Sequence, residues 1–144
     1  MIVIGDTSGL IAALNRSDPE HVQAGMALDR AGLLVISPLT VTEVHQVTTI
    51  RAGRRAADLA VDMLMERCGQ TRAVLAEVTP ETVQRALRLR VRYQELNLDL
   101  VDVVNAVLAA LYETDCLLTL DRRDFRAVRP LTRHKAFRLL PDDL

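Results

Sequence analysis

Four acidic residues lie beside or within apolar segments of the sequence: Asp6, Glu43, Asp102 and Asp121. At such positions a charged side chain must either reach solvent or have its charge compensated by another group. Asp6 follows one apolar run and Asp121 ends another, and α/β proteins bind ligands at the carboxyl ends of such strands. Taken singly, Asp6 and Asp121 could each be a helix cap, and Glu43 could complement a helix dipole. Alone, each of these three is a weak indication of function.

Asp102 is harder to explain by structure alone. Within residues 98–109 the only polar side chains are Asp99, Asp102 and Asn105, which recur at every third position and form one narrow stripe on a helix. Contact with solvent along the stripe is one explanation. A helix that is apolar on its other faces is buried, however, and buried carboxylates are rare unless they are paired or bind a metal. We therefore interpret Asp102 as functional.

The four carboxylates are more informative as a set. If their strands are neighbours, Asp6 and Asp121 converge at one edge of a parallel sheet, and the helices of Glu43 and Asp102 start from the same edge. Carboxylates this close repel each other unless a cation compensates their charge. Oxygen ligands favour Mg²⁺ or Mn²⁺, which can hold a phosphodiester and lower the pKa of an attacking water. No histidine is a good candidate for a general base, because the three are scattered: His21, His45 and His134.

The elements that must position these residues are short apolar strands alternating with helices, a pattern that predicts a parallel α/β sheet. We predict strands at residues 2–4, 33–36, 73–78 and 116–120, and an edge strand at 136–140.

Three helices are predicted in some detail. The helix after the second strand carries Val41, Val44, Val47 and Ile50 on its apolar stripe, and the next helix, residues 54–67, turns Leu59, Met63 and Leu64 inward. The helix at residues 98–112 is expected to be the most buried.

Composition narrows the functional class. A length of 144 residues fits one domain, residues 1–144, and a hydrophobic share of 49% excludes a disordered chain. The aromatic share of 3% argues against stacking several bases on exposed rings, and the net charge of -1 argues against wrapping duplex DNA. Two embedded cysteines and the lack of an apolar run of membrane-spanning length predict a cytoplasmic protein that does not engage a membrane.

Four motifs together resemble the PIN domain, and more narrowly the VapC toxins of bacterial toxin–antitoxin pairs. They follow the first strand, follow the second strand, open the buried helix and close the fourth strand: Asp6-Thr7-Ser8, Thr42-Glu43-Val44, Leu100-Val101-Asp102 and residues 118–125. The resemblance covers essentially the whole chain. It implies a three-layer α/β/α sandwich around a mostly parallel sheet of four to five strands.

The resemblance also implies an endoribonuclease that depends on Mg²⁺ or Mn²⁺. By this analogy Asp6 and Asp102 are the principal metal ligands, Glu43 and Asp121 complete the acidic pocket, and Ser8 helps to hold the substrate phosphate or Asp6. Cleavage would leave a 5′-phosphate and a 3′-hydroxyl. Asp99 departs from the family pattern, which often has a small residue at this position, so we expect a fifth carboxylate to border the pocket.

The same resemblance implies partners. A VapB-type antitoxin would cover the site with an extended segment bearing a basic side chain, and a homodimer would form through residues 41–64. RNA phosphates could be held by a cluster of arginines after Asp121, although a solvated surface explains the same cluster equally well: Arg122, Arg123, Arg126, Arg129 and Arg133.

The same residues bear on three alternative functions. A catalytically silent PIN-like scaffold that binds RNA or a partner stays open, although all four acids are present. A phosphoacceptor receiver domain fits poorly, because the only lysine, Lys135, follows the fourth strand by too long a segment. A haloacid-dehalogenase-type phosphatase would need an acid where Ser8 stands.

Overall fold

A computed structural model describes all residues, 1–144, and contains one five-stranded parallel sheet. In chain order, the strands are β1 Ile2–Gly5, β2 Leu33–Ile36, β3 Ala73–Leu75, β4 Cys116–Leu118 and β5 Arg138–Leu140. Their order across the sheet is β3-β2-β1-β4-β5, and every pair is parallel. The predicted edge strand is confirmed, and β1 and β4 are neighbours, as the convergence of Asp6 and Asp121 requires.

Seven helices connect and cover these strands: α1 Thr7–Leu14, α2 His21–Arg30, α3 Pro38–Ala52, α4 Arg54–Gly69, α5 Pro80–Arg92, α6 Leu100–Leu111 and α7 Arg122–Ala127. Alternate residues of each strand point to opposite faces of the sheet, so two separate cores form. In β1, Val3 packs into the core under α1 to α4, whereas Ile4 packs into the core under α5 and α6. The expected three-layer α/β/α sandwich is confirmed.

Local sequence explains where the helices begin. Ser37 and Thr79 accept hydrogen bonds from first-turn amides of α3 and α5, and each is followed by a proline at the first helical position. The α6 helix is the most buried, as predicted, with eight of its twelve residues excluded from solvent. None of the seven helices combines the length and the apolar character that a membrane span requires.

The predicted inward faces of α3 and α4 are partly wrong. Leu64 is fully buried, but Leu59 and Met63 are 60% and 40% exposed, because the buried face of α4 is set by Leu64 together with small alanines one and two turns earlier. Ile50 is 85% exposed. A spacing of three residues drifts by about 60° per step around a helix of 3.6 residues per turn, so the α3 stripe leaves the core before it reaches Ile50.

Candidate functional site

All four carboxylates singled out from the sequence line one open cavity of about 510 Å³ at the carboxyl edge of the sheet: Asp6, Glu43, Asp102 and Asp121. Two further acids line the same cavity, Asp99 and Asp18. Against these six carboxylates the cavity wall contains a single basic residue, Arg51. The cavity is therefore strongly acidic, although the chain as a whole is nearly neutral.

Asp6 lies at the centre of the hydrogen-bonding around this cavity. It occupies the cap position of α1, yet its side chain does not cap that helix. Its two carboxylate oxygens accept hydrogen bonds from different elements: Asn105 Nδ2 of α6 donates to Oδ1 at 3.1 Å, and Thr119 Oγ1 donates to Oδ2 at 2.8 Å. The Asp6 side chain is thus held mainly by α6 and by the chain that follows β4, not by a cap on α1.

Thr119 couples Asp6 to the chain that leaves β4. While its hydroxyl donates to Asp6, its oxygen accepts a hydrogen bond from the Asp121 amide at 3.0 Å. The Ser8 hydroxyl lies 3.3 Å from the same oxygen and accepts a hydrogen bond from the Leu120 amide at 2.9 Å. Ser8 therefore supports Asp6 through Thr119, not by direct contact.

Asp102 has a structural role as well as its place in the cavity. Asp99 and Asp102 form a capping box at the start of α6: Asp102 N donates to Asp99 Oδ1 at 2.9 Å, and Asp99 N donates to Asp102 Oδ2 at 3.0 Å. Asp102 is 8% exposed and receives no ion pair from a basic side chain. The box explains its orientation, but a cap does not require a carboxylate this deeply buried.

Glu43 and Asp121 are less constrained. Glu43 is half-buried and lies in the second turn of α3, so a first-turn interaction with the helix dipole does not explain it. Asp121 occupies the cap position of α7, but its side chain makes no capping hydrogen bond. Both carboxylates are therefore available to the cavity.

Burial and mutual repulsion perturb the titration of the cavity acids. Burial raises the pKa of Asp6 to about 6, and the charges of Glu43 and Asp121 add to that rise. Burial raises the pKa of Asp102 to about 8, and the neighbouring Asp6 carboxylate adds to it. The pKa of Asp121 is also raised, by burial and by Asp124. The single basic residue in the cavity wall does not offset the burial and mutual repulsion of these carboxylates.

The donor set suits a hard divalent cation, because it offers only carboxylate and neutral oxygen ligands and no cysteine or histidine. No three acidic, histidine or cysteine side chains stand in an arrangement that already forms a metal site. The acids share a cavity but do not converge on one point. Their chemistry therefore fits Mg²⁺ or Mn²⁺, but the side chains would have to move to close around the ion.

The arginines after Asp121 are not all free to bind RNA. Arg122 pairs with both Glu20 and Asp142, and Arg126 pairs with Asp143. These two side chains hold the C-terminal residues against α7, so the expectation that the whole cluster grips phosphate needs correction. Arg123, by contrast, is exposed and forms no ion pair.

Sequence reasoning missed three contributors to the site. Thr119 gave the clearest signal, since it is the lone hydroxyl in the apolar run 116–120. Asp18 precedes a proline in the sequence, which is typical of a helix start, and its side chain accepts a hydrogen bond from the Glu20 amide. Arg51 lies near the end of α3, and nothing in the local sequence places it beside the acids.

Comparison with known proteins now identifies the family. The PIN domain family model matches residues 3–130, nearly the whole chain. This chain belongs to the PIN-domain family. Ribonuclease VapC26 of Mycobacterium tuberculosis is 35% identical to it over 130 residues, which are 90% of this chain and 93% of that protein.

Two solved structures show the same fold. VapC20 of Mycobacterium tuberculosis, described as a Sarcin-Ricin loop cleaving toxin, matches with a TM-score of 0.77 and 21% identity, covering 87% of this chain and 94% of that one. VapBC2 of Rickettsia felis, bound to a DNA fragment from its promoter, matches with a TM-score of 0.68 and 16% identity, covering 92% of this chain and 96% of that one. The PIN-like fold expected from the sequence is thus confirmed.

Proposed function

We propose that this PIN-domain chain is the toxin of a VapBC-type toxin–antitoxin pair, a single domain over residues 1–144 that acts in the cytoplasm as an endoribonuclease dependent on Mg²⁺ or Mn²⁺. The observation that carries the proposal is that four carboxylates, from segments far apart in the chain, line one acidic cavity. The name and similarity of ribonuclease VapC26 support the substrate class.

The residues divide into distinct roles. Asp6 and Asp102 are the principal metal ligands, since they are the most buried acids of the cavity and neither forms an ion pair with a basic side chain. Glu43 and Asp121 complete the acidic wall and can accept hydrogen bonds from bound water. Asp6 and Asp102 would hold a divalent cation, which would offset the charge of the phosphodiester and lower the pKa of an attacking water.

Arg51 and Arg123 are the basic side chains placed to meet RNA beside the acids. Arg51 lines the acidic cavity itself, and Arg123 lines the adjoining pocket that contains Asp121. Both are exposed, and neither is held in an ion pair. A planar guanidinium can bind a phosphate through two hydrogen bonds, so we assign these two residues to the RNA backbone.

An apolar groove beside the acidic cavity supports an antitoxin partner. The groove has a volume of about 210 Å³ between α1, α3 and α4, with Leu14, Leu59 and Met63 in its wall, and it shares Ile11 and Arg51 with the acidic cavity. A peptide with apolar side chains in the groove would bring a basic side chain to the carboxylates. We assign this position to a VapB-type antitoxin segment.

The homodimer expected through residues 41–64 would use the same region. The exposure of Ile50 provides apolar surface there beyond the groove itself. Light scattering of the purified chain, with and without its antitoxin, tests both assignments. A dimer that persists when the antitoxin is bound would place the two contacts on different parts of α3 and α4.

The catalytic proposal is tested by incubating the chain with cellular RNA and Mg²⁺ or Mn²⁺. Asp6→Asn and Asp102→Asn should each reduce cleavage by at least about 100-fold, because each removes a ligand charge from a cation whose electrostatic contribution is several kcal/mol. Asp62→Asn, on the exposed side of α4, is the matched control and should cleave normally. Wild-type chain that binds RNA without cutting it, with either cation present, would support the silent scaffold instead.

A further inference from the structure

Asn105 is a polar residue in an almost wholly apolar helix, and the catalytic proposal does not use it. Its side chain is fully buried on α6, where the neighbouring positions Val104, Ala106 and Val107 all pack into the core. The amide makes one side-chain hydrogen bond, from Nδ2 to Asp6 Oδ1 at 3.1 Å. The other end of the amide, Oδ1, has no hydrogen-bond partner.

An amide in this state is an unfavourable core residue. A buried carbonyl oxygen without a donor loses its hydrogen bonds to water and makes none in the protein, which lowers the stability of the fold. A leucine of similar shape would avoid this cost. Reversing the amide does not help, because it would place the amide oxygen against the Asp6 carboxylate. The one favourable polar interaction at this position is therefore the bond to Asp6.

The hydrogen bond from Asn105 to Asp6 complements the hydrogen bond that Thr119 donates to the same carboxylate. Asn105 holds one carboxylate oxygen of Asp6 from the helical layer, and Thr119 holds the other from the end of β4. Two donors on two different oxygens fix both the position and the plane of a carboxylate. Because each oxygen has two acceptor sites, these two hydrogen bonds leave the carboxylate able to bind a further ligand.

We infer that Asn105 is a positioning residue, which orients the Asp6 carboxylate for binding a divalent cation at the expense of an unsatisfied amide in the core. The inference rests on the proposed function, because it assumes that Asp6 is a metal ligand. Partners that orient a metal ligand typically affect metal affinity by about 10- to 100-fold. Asn105 is thus expected to act on metal affinity more than on folding.

The test is calorimetric titration of the metal-free protein with MnCl₂, which requires no RNA. Asn105→Leu, which removes the donor but keeps an apolar side chain of similar shape, should bind Mn²⁺ about 10-fold more weakly or worse. Its thermal unfolding without metal should stay close to that of the wild type, because the variant also removes the unsatisfied oxygen. Asn105→Ala provides a second variant without the donor, in case leucine does not fit.

Val107→Ala is the matched control, since Val107 is equally buried on the same helix and has no polar group that could hold Asp6. It should lower the unfolding temperature and leave the affinity for Mn²⁺ unchanged. If both Asn105 variants fold and bind Mn²⁺ as tightly as the wild type, the positioning role is refuted. If the wild type itself fails to bind Mn²⁺ in the acidic cavity, the proposed function fails instead, and the two failures are distinct.

Discussion

Asp102→Asn should make the metal-free protein more stable, although it removes a proposed ligand. Burial raises the pKa of this carboxyl from 3.8 to about 8, so the folded chain holds a proton at pH 7 that the unfolded chain has released. A pKa difference of this size costs up to about 4 kcal/mol at pH 7, and sharing the site with Asp6 reduces the expected gain to about 2–4 kcal/mol. Asparagine keeps an oxygen that can accept the Asp99 amide but has no charge to bury.

The sign of the pH dependence follows from the direction of the shift. Between about pH 4 and pH 8 the folded wild type binds more protons than the unfolded chain, so its stability falls as the pH rises. The advantage of Asp102→Asn should therefore be smaller at pH 5 than at pH 8. Urea unfolding in the presence of a chelator, at both pH values, measures it. A variant that is less stable than the wild type at pH 8, or a gap that does not widen with pH, would refute this account of Asp102.

Three further predictions concern the frame around the site. Leu64→Ala should lower the free energy of unfolding by about 2–5 kcal/mol, whereas Leu59→Ala should lower it by less than about 0.5 kcal/mol. Equal losses for the two variants in urea unfolding would contradict the assignment of the buried face of α4. Gly9→Ala should lower the free energy of unfolding by about 3 kcal/mol or more, because its new Cβ would lie 2.3 Å from a β4 carbonyl oxygen. Gly25→Ala should stabilise α2 slightly, because no atom lies within 4 Å of the new Cβ. Thermal unfolding of the pair checks that contrast, which a harmless Gly9→Ala would disprove. Thr119→Val should lower the free energy of unfolding by about 1–3 kcal/mol, because it leaves the Asp121 amide and one Asp6 oxygen without the hydrogen bonds that Thr119 makes to them. Unchanged urea unfolding would argue against a stabilising role for these two hydrogen bonds.

The sheet could be predicted from the sequence because its signals are local. Each strand is a short apolar run beside a turn or a helix cap, and parallel strands with helical connections leave few topologies. The order of the strands then brings Asp6 and Asp121 to one edge, so the acidic cavity follows from position along the chain. The polar stripe of α6 was equally readable, because the regular spacing of Asp99, Asp102 and Asn105 needs no tertiary information.

Other features depended on contacts between distant residues. The exposure of Leu59 could not be read from its own helix, because the small residues Ala57 and Ala60 decide which face of α4 approaches the sheet. The ion pairs of Arg122 join α7 to residues about 20 and 100 positions away in the chain. The clustering of arginines in the sequence therefore does not show which of them are already paired. The bond between Asn105 and Asp6 likewise spans most of the chain.

The central claim is that the acidic cavity holds a divalent cation. An anomalous difference map from crystals of the protein grown with MnCl₂ tests it most directly. We predict a Mn²⁺ peak in the cavity, coordinated by carboxylate oxygens of Asp6 and Asp102, that is lost from crystals of Asp102→Asn. A map with no peak there, or with Mn²⁺ bound only at other surfaces, would contradict the claim.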